Sequence, residues 1–258
     1  MTNINYMLSS SKCCLVTVCI GQKYIDEYNK LFRSSQEAYA KKCGYDFKMI
    51  TEFLTDKKHK NLINMHKWLV CSQKWSANYD YIIYIDADIV INKNTPPLHN
   101  AYDFGFKIGI VNESQPTLDA MLEVHRHRGF GQGTQDYYKI HTGVRDTTFK
   151  HIINSGVIVF QPKIHADYLE RLIYKYQPSI MTQPPSKHKD QPFFGYQLQI
   201  DEMYYYMDMK WNAIWETSKY YFNTIKHQPL SLQEYYDRNY FVHFAGHSDY
   251  HVIPSLKL

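Results

Sequence analysis

The chain has 258 residues, 44% hydrophobic and 21% charged, with a formal net charge of +4, enough to bury a full core in one domain and too little charge for a disordered chain. Its longest basic cluster, Lys57-Lys58-His59-Lys60, is too short to argue for nucleic acid, although a mildly basic cleft suits a phosphate-bearing ligand. Five cysteines, three of them in one apolar stretch, fit a reduced chain better than a disulfide framework; with strand-sized apolar runs and a polar start, a soluble protein, cytoplasmic or otherwise intracellular, without signal peptide or membrane span is expected.

Cys13 to Ile20 is a continuous β-prone run ending at Gly21, which predicts a first strand buried on both faces. Tyr24, Tyr28, Leu31, Phe32, Ser35, Ala38 and Tyr39 then follow helical spacing, and Gly44 stands where a C-terminal cap belongs. Phe47 to Phe53 predicts a second strand, Leu62, Met65 and Leu69 another helix, and Tyr81 to Ile85 a third strand. This β-α-β-α-β order predicts a Rossmann-like α/β fold, with a mixed, mostly parallel sheet flanked by helices and ligands bound at the carboxyl ends of the strands. Further on, 106 to 111 and 152 to 160 read as strands, and the polar, Gly-containing stretch between them, which includes Arg126 to Gly133, as a mobile loop or small lobe. Pro178 to Pro192 reads as irregular, and Tyr240 to Phe244 as a last strand.

Asp86 and Asp88 follow the third strand immediately, and residues i and i+2 of an extended backbone project to one side. Two carboxylates sharing one spot need protons or a cation, and their hard oxygens suit Mg²⁺ or Mn²⁺ bridging to a diphosphate. Any Asp-x-Asp is a common accident; its position after a buried strand carries the information. The same residues, Asp86-Ala87-Asp88-Ile89-Val90, also resemble the first motif of haloacid-dehalogenase-type phosphatases, in which Asp86 would be the nucleophile. Against that, the motif sits well inside the chain and no later Asp-Asp pair follows it. A solvated turn with two caps is the third reading.

Later segments line up in order with one family. Trp75-Ser76-Ala77-Asn78-Tyr79-Asp80 before the Asp-x-Asp, then Asn154-Ser155-Gly156, Asp190-Gln191, Trp211-Asn212 and His243-Phe244-Ala245-Gly246 resemble the retaining GT-A glycosyltransferases typified by glycogenin, the lipopolysaccharide galactosyltransferases and the galactosyl/xylosyltransferases, over residues 13 to 250. The resemblance implies a single GT-A domain over 1–258, with a donor-binding half at about 13–112 and an acceptor-side, closing half at about 113–258. It implies a metal, Mn²⁺ or Mg²⁺, on Asp86, Asp88 and His243, and a transferred sugar facing Asn154, Asp190 and Gln191. The UDP-sugar donor would lie against Thr17, Tyr24, Lys67, Asp86, Gly246 and His247, and the acceptor would be a hydroxyl of a glycan, glycoprotein or small molecule.

The chain departs from the pattern at one point. Where the family has a diphosphate-gripping lysine after His-Phe-x-Gly, this sequence has His247, Ser248 and Asp249. Either His247, His251 or an arginine of the 126 to 145 segment takes over, or the chain is a sugar-nucleotide or glycan-binding protein that has lost turnover.

Overall fold

Residues Cys13–Val18 (β1) are buried along almost their whole length, as a strand with parallel neighbours on both sides requires. The protein was analysed as a computed structural model that describes residues 11–56, 59–144, 148–184, 188–247 and 249–257. Helices α1 (Gln22–Leu31) and α2 (Arg33–Cys43) follow β1 and lead to β2 (Asp46–Ile50). The sequence predicts one helical face from Tyr24 to Tyr39, but the helix breaks at Phe32, whose φ of −118° resets the phase. Tyr28, Phe32, Ser35, Gln36 and Tyr39 therefore turn inward, while Tyr24 and Ala38 face out. Gly44 caps α2 at φ 68°, its N–H bonded to the carbonyls of Ala40 and Lys41, as its position predicts.

A short 3₁₀ segment, Lys60–Met65, runs into the single turn of α3 (His66–Leu69) and then to β3 (Tyr81–Ile85). Beyond β3 come β4 (Ile89–Ile91), β5 (Ile108–Asn112), α4 (Leu118–His127), α5 (Thr134–Thr142), β6 (Ile153–Phe160), α6 (Pro162–Thr182) and α7 (Gln191–Ile200). The chain ends through β7 (Tyr204–Met207), β8 (Ala213–Ile214), α8 (Trp215–Tyr220), α9 (Leu232–Arg238) and β9 (Phe241–His243). Three expectations are corrected here. The polar stretch between β5 and β6 carries two helices, α4 and α5, with a loop between them, and Pro178 lies inside α6, near enough to its end that the missing N–H removes one late hydrogen bond without breaking the helix. The second strand also stops at Ile50 rather than Phe53, where Cys19 N–H caps the ladder.

The main sheet has strand order β2-β1-β3-β6-β5-β7. β1 pairs in parallel with β2 and β3, β6 runs antiparallel between β3 and β5, and β5 is parallel to β7. Because β6 is reversed, its first residues lie at the same sheet edge as the last residues of β1, β3 and β5. The residues after Val18, after Ile85 and after Asn112 therefore meet Asn154, Ser155 and Gly156 along one edge. A second sheet, β4-β9-β8, pairs Ile89 with His243, and Phe244 N–H bonds to the Asp88 carbonyl at 2.9 Å. That pairing brings His243 from the far end of the sequence to the Asp-x-Asp.

Both faces of the main sheet are covered. Trp68 of α3 stacks on Phe194 of α7 with ring centroids 5.4 Å apart, and both rings are fully buried. Among the described residues no helix is long and apolar enough to cross a membrane, and the five cysteines carry no disulfide.

Candidate functional site

Along that edge lies a cleft of about 690 Å³. Asp86, Asp88 and His243 line it and bring one ligand atom each within 4.8 Å of one another. Asp86 Oδ1 is already engaged, accepting from the Tyr84 hydroxyl at 2.7 Å and from the Lys67 ammonium at 3.0 Å. Its Oδ2 is turned toward His243 Nε2 at 3.8 Å, and Asp88 Oδ1 stands 3.2 Å from the same nitrogen.

The tautomer of His243 follows from a chain of donors that begins at a backbone amide. Gly156 N–H donates to Asn154 Oδ1 at 2.9 Å, so that oxygen is fixed as an acceptor. Asn212 must then present its Nδ2 to Asn154 Oδ1, at 2.6 Å, and its Oδ1 to His243 Nδ1, at 2.9 Å. The proton on a neutral His243 ring accordingly sits on Nδ1, and the Nε2 lone pair points at two carboxylates. Three acceptors facing each other require a proton or a cation between them. Burial alone would lower the His243 pKa, but Asp88 and Asp86 outweigh it and hold it above the ordinary histidine value. Two carboxylate oxygens and one imidazole nitrogen, with the second ring nitrogen tied to an amide oxygen, fit a divalent cation of the Mn²⁺ or Mg²⁺ class.

The strand motif Asn154-Ser155-Gly156 is explained by the same geometry. A Cβ on Gly156 would lie 2.5 Å from His243 Cε1 and 2.7 Å from its Nδ1, so only glycine lets the ring pack against this strand. Gly156 also accepts from Asp86 N–H at 2.7 Å.

Lys67 is buried, contrary to the usual fate of a helix lysine. Its Nζ contacts Asp86 Oδ1 at 3.0 Å, Asp190 Oδ2 at 3.2 Å, Ser155 O at 3.1 Å and Ser155 Oγ at 3.2 Å. Burial works against its charge, but Asp190 and Asp86 more than compensate and raise its pKa, so the ammonium stays protonated throughout the working pH range. Asp190 Oδ2 also accepts from Ser155 Oγ at 2.9 Å, and Gln191 Oε1 accepts from Ser155 N–H at 3.4 Å.

Of the residues singled out in the sequence, Tyr24, Lys67, Asp86, Asp88, Asn154, Asp190, Gln191, His243 and Gly246 all line this cleft. Thr17 does not. Strand alternation turns its side chain into the fully buried interior, and Val18 and Cys19 line the cleft in its place. The side chain of His247 lies outside the described residues, and Asp249, two positions on, is held by Trp215 Nε1 and Lys219. Sequence reasoning missed Glu113 and His188, which also line the cleft. Glu113 had a usable signal, since it directly follows a strand whose carboxyl end faces the ligand edge. Arg128, one of the arginines of the 126 to 145 segment offered in place of the missing lysine, lines the cleft too; its guanidinium reaches it from the loop after α4 and is paired there with Glu216. Its Nη2 would be 3.1 Å from a Cβ on Gly246.

The model of the family described as glycosyl transferase family 8 matches residues 2–248, whereas no curated protein sequence matches the chain. Among solved structures, the chain is similar to a glycosyltransferase involved in glycosylation of the major capsid of PBCV-1, with a TM-score of 0.58 at 14% identity over 95% of this chain and 98% of that one. It is similar to the galactosyltransferase LgtC in complex with donor and acceptor sugar analogs, with a TM-score of 0.52 at 15% identity over 95% and 96% of the two chains. The glycosyltransferase GlyE of Streptococcus pneumoniae TIGR4 gives 0.50 at 12% identity over 92% of this chain and 55% of that one. At these identities the likeness is one of fold.

Two outcomes are expected. Lys67→Met, which leaves Asp86 and Asp190 without their counter-charge, should lower stability by about 3–5 kcal/mol in urea titration; a change below about 1 kcal/mol would mean that the two carboxylates do not depend on it. Gly156→Ala should displace the His243 ring and weaken Mn²⁺ binding, read by calorimetry, by about tenfold or more, and an unchanged affinity would show that His243 is not held against this strand for a metal.

Proposed function

We propose, from the premise that this chain belongs to glycosyl transferase family 8, that it moves a sugar from a nucleoside diphosphate, UDP in the first instance, to a hydroxyl of a glycan, glycoprotein or small acceptor, with a divalent cation held by Asp86, Asp88 and His243. That it is a glycosyltransferase with the GT-A fold is the common content of the family and the similar structures. The observation that supports the finer reading is the order of side chains along one sheet edge. Val18 ends β1 and Cys19 and Tyr24 follow it, the Asp-x-Asp follows β3, and Asn154, Asp190 and Gln191 gather at the start of β6. That order matches a nucleoside, a diphosphate and a sugar lying end to end, with the donor-binding half at about 13–112 and the closing half at about 113–258.

In this proposal the cation, when bound, supplies positive charge to the leaving diphosphate without a proton transfer. The protein's own residues do the positioning. Asp86 presents one oxygen to the site because Tyr84 and Lys67 occupy the other. Lys67 pairs with Asp190 beside Ser155, and the anomeric configuration is retained, with Asp190 placed either as nucleophile or beside a same-face attack. Arg128, next to Gly246, takes the diphosphate-gripping role of the lysine that the family has after His-Phe-x-Gly and this sequence lacks, exchanging Glu216 for phosphate oxygens, for which its planar fork is well suited. The phosphatase reading of Asp86 loses its support to the family assignment. The cysteines without disulfides agree with a reducing, intracellular location.

The test is UDP release from a panel of UDP-sugars with Mn²⁺ or with EDTA. Release from one donor, abolished by EDTA and by Asp88→Asn and accompanied in Arg128→Met by a donor KM raised about tenfold or more, is the expected result. UDP binding with no release from any donor, with or without acceptors, would favour a silent binding protein instead, and an unchanged KM in Arg128→Met would remove that residue from the diphosphate site.

A further inference from the structure

Lys60, Lys67, Arg128 and Lys189 bring permanent positive charge to the lining of the cleft. Lys67 is spent on Asp86 and Asp190, and Arg128 is paired with Glu216 beside Gly246. Lys60 and Lys189 belong to neither group. Lys60 ends the longest basic cluster of the sequence, is exposed, and has no ion pair among the described residues.

The backbone fixes where that charge stands. The 3₁₀ segment that begins at Lys60 buries Leu62 and Met65 and turns Lys60, Ile63, Asn64 and Lys67 to the cleft, the spacing of one helical face. Asn61 ties this segment to the end of α6, its Nδ2 facing the carbonyls of Ile180 at 3.2 Å, Met181 at 3.1 Å and Gln183 at 3.0 Å. Lys189 Nζ donates to the same Gln183 carbonyl at 3.2 Å and to that of Pro184. The shared oxygen sets the two segments side by side, so Lys60 and Lys189 belong to one wall of the cleft. From Lys67 back to Lys60 the backbone rises about 10–14 Å, which sets this charge apart from the Asp86-Asp88-His243 group.

The wall has no acid of its own to cancel it. The acidic residues lining the cleft are Glu27, Asp86, Asp88, Glu113 and Asp190. None falls within 60–64, and Asp190, next to Lys189 in the chain, is already paired with Lys67. A concave surface lined by one sign of charge concentrates ligands of the other sign. An ammonium also offers donors and no acceptor, which suits an anion better than a neutral hydroxyl.

We propose that this wall receives a negatively charged group of the acceptor, a carboxylate, phosphate or sulfate, so that the hydroxyl taking the transferred sugar belongs to an acidic sugar or sugar chain. The proposal rests on the glycosyltransferase reading above and names the acceptor class for it.

Calorimetry on the full chain with Mn²⁺ and UDP, using probes matched except for charge, tests this. The pairs are methyl β-glucoside with methyl β-glucuronide, glucose with glucose 6-phosphate, and galactose with galactose 6-sulfate. At least one acidic member should bind about fivefold or more tighter than its neutral partner, and the pair that shows the gain identifies the anion. The gain should disappear at about 0.5 M NaCl and when Lys60→Met is combined with Lys189→Met, and should survive Lys60→Arg. UDP-glucuronate should bind no tighter than UDP-glucose, because the charge belongs to the acceptor. Equal binding within every pair, a preference that persists in the double variant, or the same gain on UDP-glucuronate would overturn the proposal. A wild-type protein that does not bind UDP would overturn the underlying reading as well, a failure visible before any acidic probe is added.

Discussion

The Lys67 ammonium lies buried between Asp86 and Asp190, and the rest of the site is arranged around it. Two carboxylates on different elements, one following β3 and one preceding α7, can lie inside the protein together only because a permanent positive charge sits between them. The same ammonium is anchored by the carbonyl and hydroxyl of Ser155 on β6. Three segments far apart in sequence are thus fixed to one atom. Its charge also neutralises one oxygen of Asp86 and leaves the other for the cluster with Asp88 and His243.

A second constraint runs through amide groups rather than charges. From His125 through Glu113, Asn154 and Asn212 to His243, each side chain is oriented by its neighbour, and the sequence of donors is set by the backbone N–H of Gly156. Such a chain leaves no freedom in which nitrogen of His243 faces the two aspartates. It also links the cation end of the cleft to the sugar end without any shared ion pair, so a change at Asn212 or Asn154 acts on both ends at once. Buried polar networks of this kind stabilise most when every member is satisfied; here the Nδ1 of His125, at the outer end, is buried without a hydrogen-bond partner among the described residues.

Much of this was legible in the sequence. Continuous apolar runs such as Tyr81 to Ile85 identified the buried strands, Gly44 the end of a helix, and the position of Asp86 and Asp88 after a strand the ligand edge. Where the reading failed, a tertiary cause is visible. The break at Phe32 is invisible to a helical period that continues through it, and Pro178 inside α6 violates a rule whose cost is small near a helix end. Lys67 was expected against the donor, but its place between Asp86 and Asp190 was not legible, because Ser155 and Asp190 reach it only through the tertiary fold, Ser155 on the reversed strand β6. His125 comes from the α4 region, whose composition resembles a surface loop and whose role depends on where the cleft lies, whereas the arginines just after it were already offered as a phosphate grip. Thr17 was chosen one position too early, since strand alternation had already turned it inward.

The account stands on a divalent cation held by Asp86, Asp88 and the Nε2 of His243 while it meets a nucleoside diphosphate. Pulsed electron paramagnetic resonance of Mn²⁺ bound with UDP tests this directly, because it reports which nuclei touch the metal. The predicted spectrum shows coupling to one imidazole nitrogen, absent in His243→Gln, together with coupling to diphosphate phosphorus. Mn²⁺ that shows phosphorus coupling with no histidine nitrogen, or that does not bind with UDP at all, would contradict it.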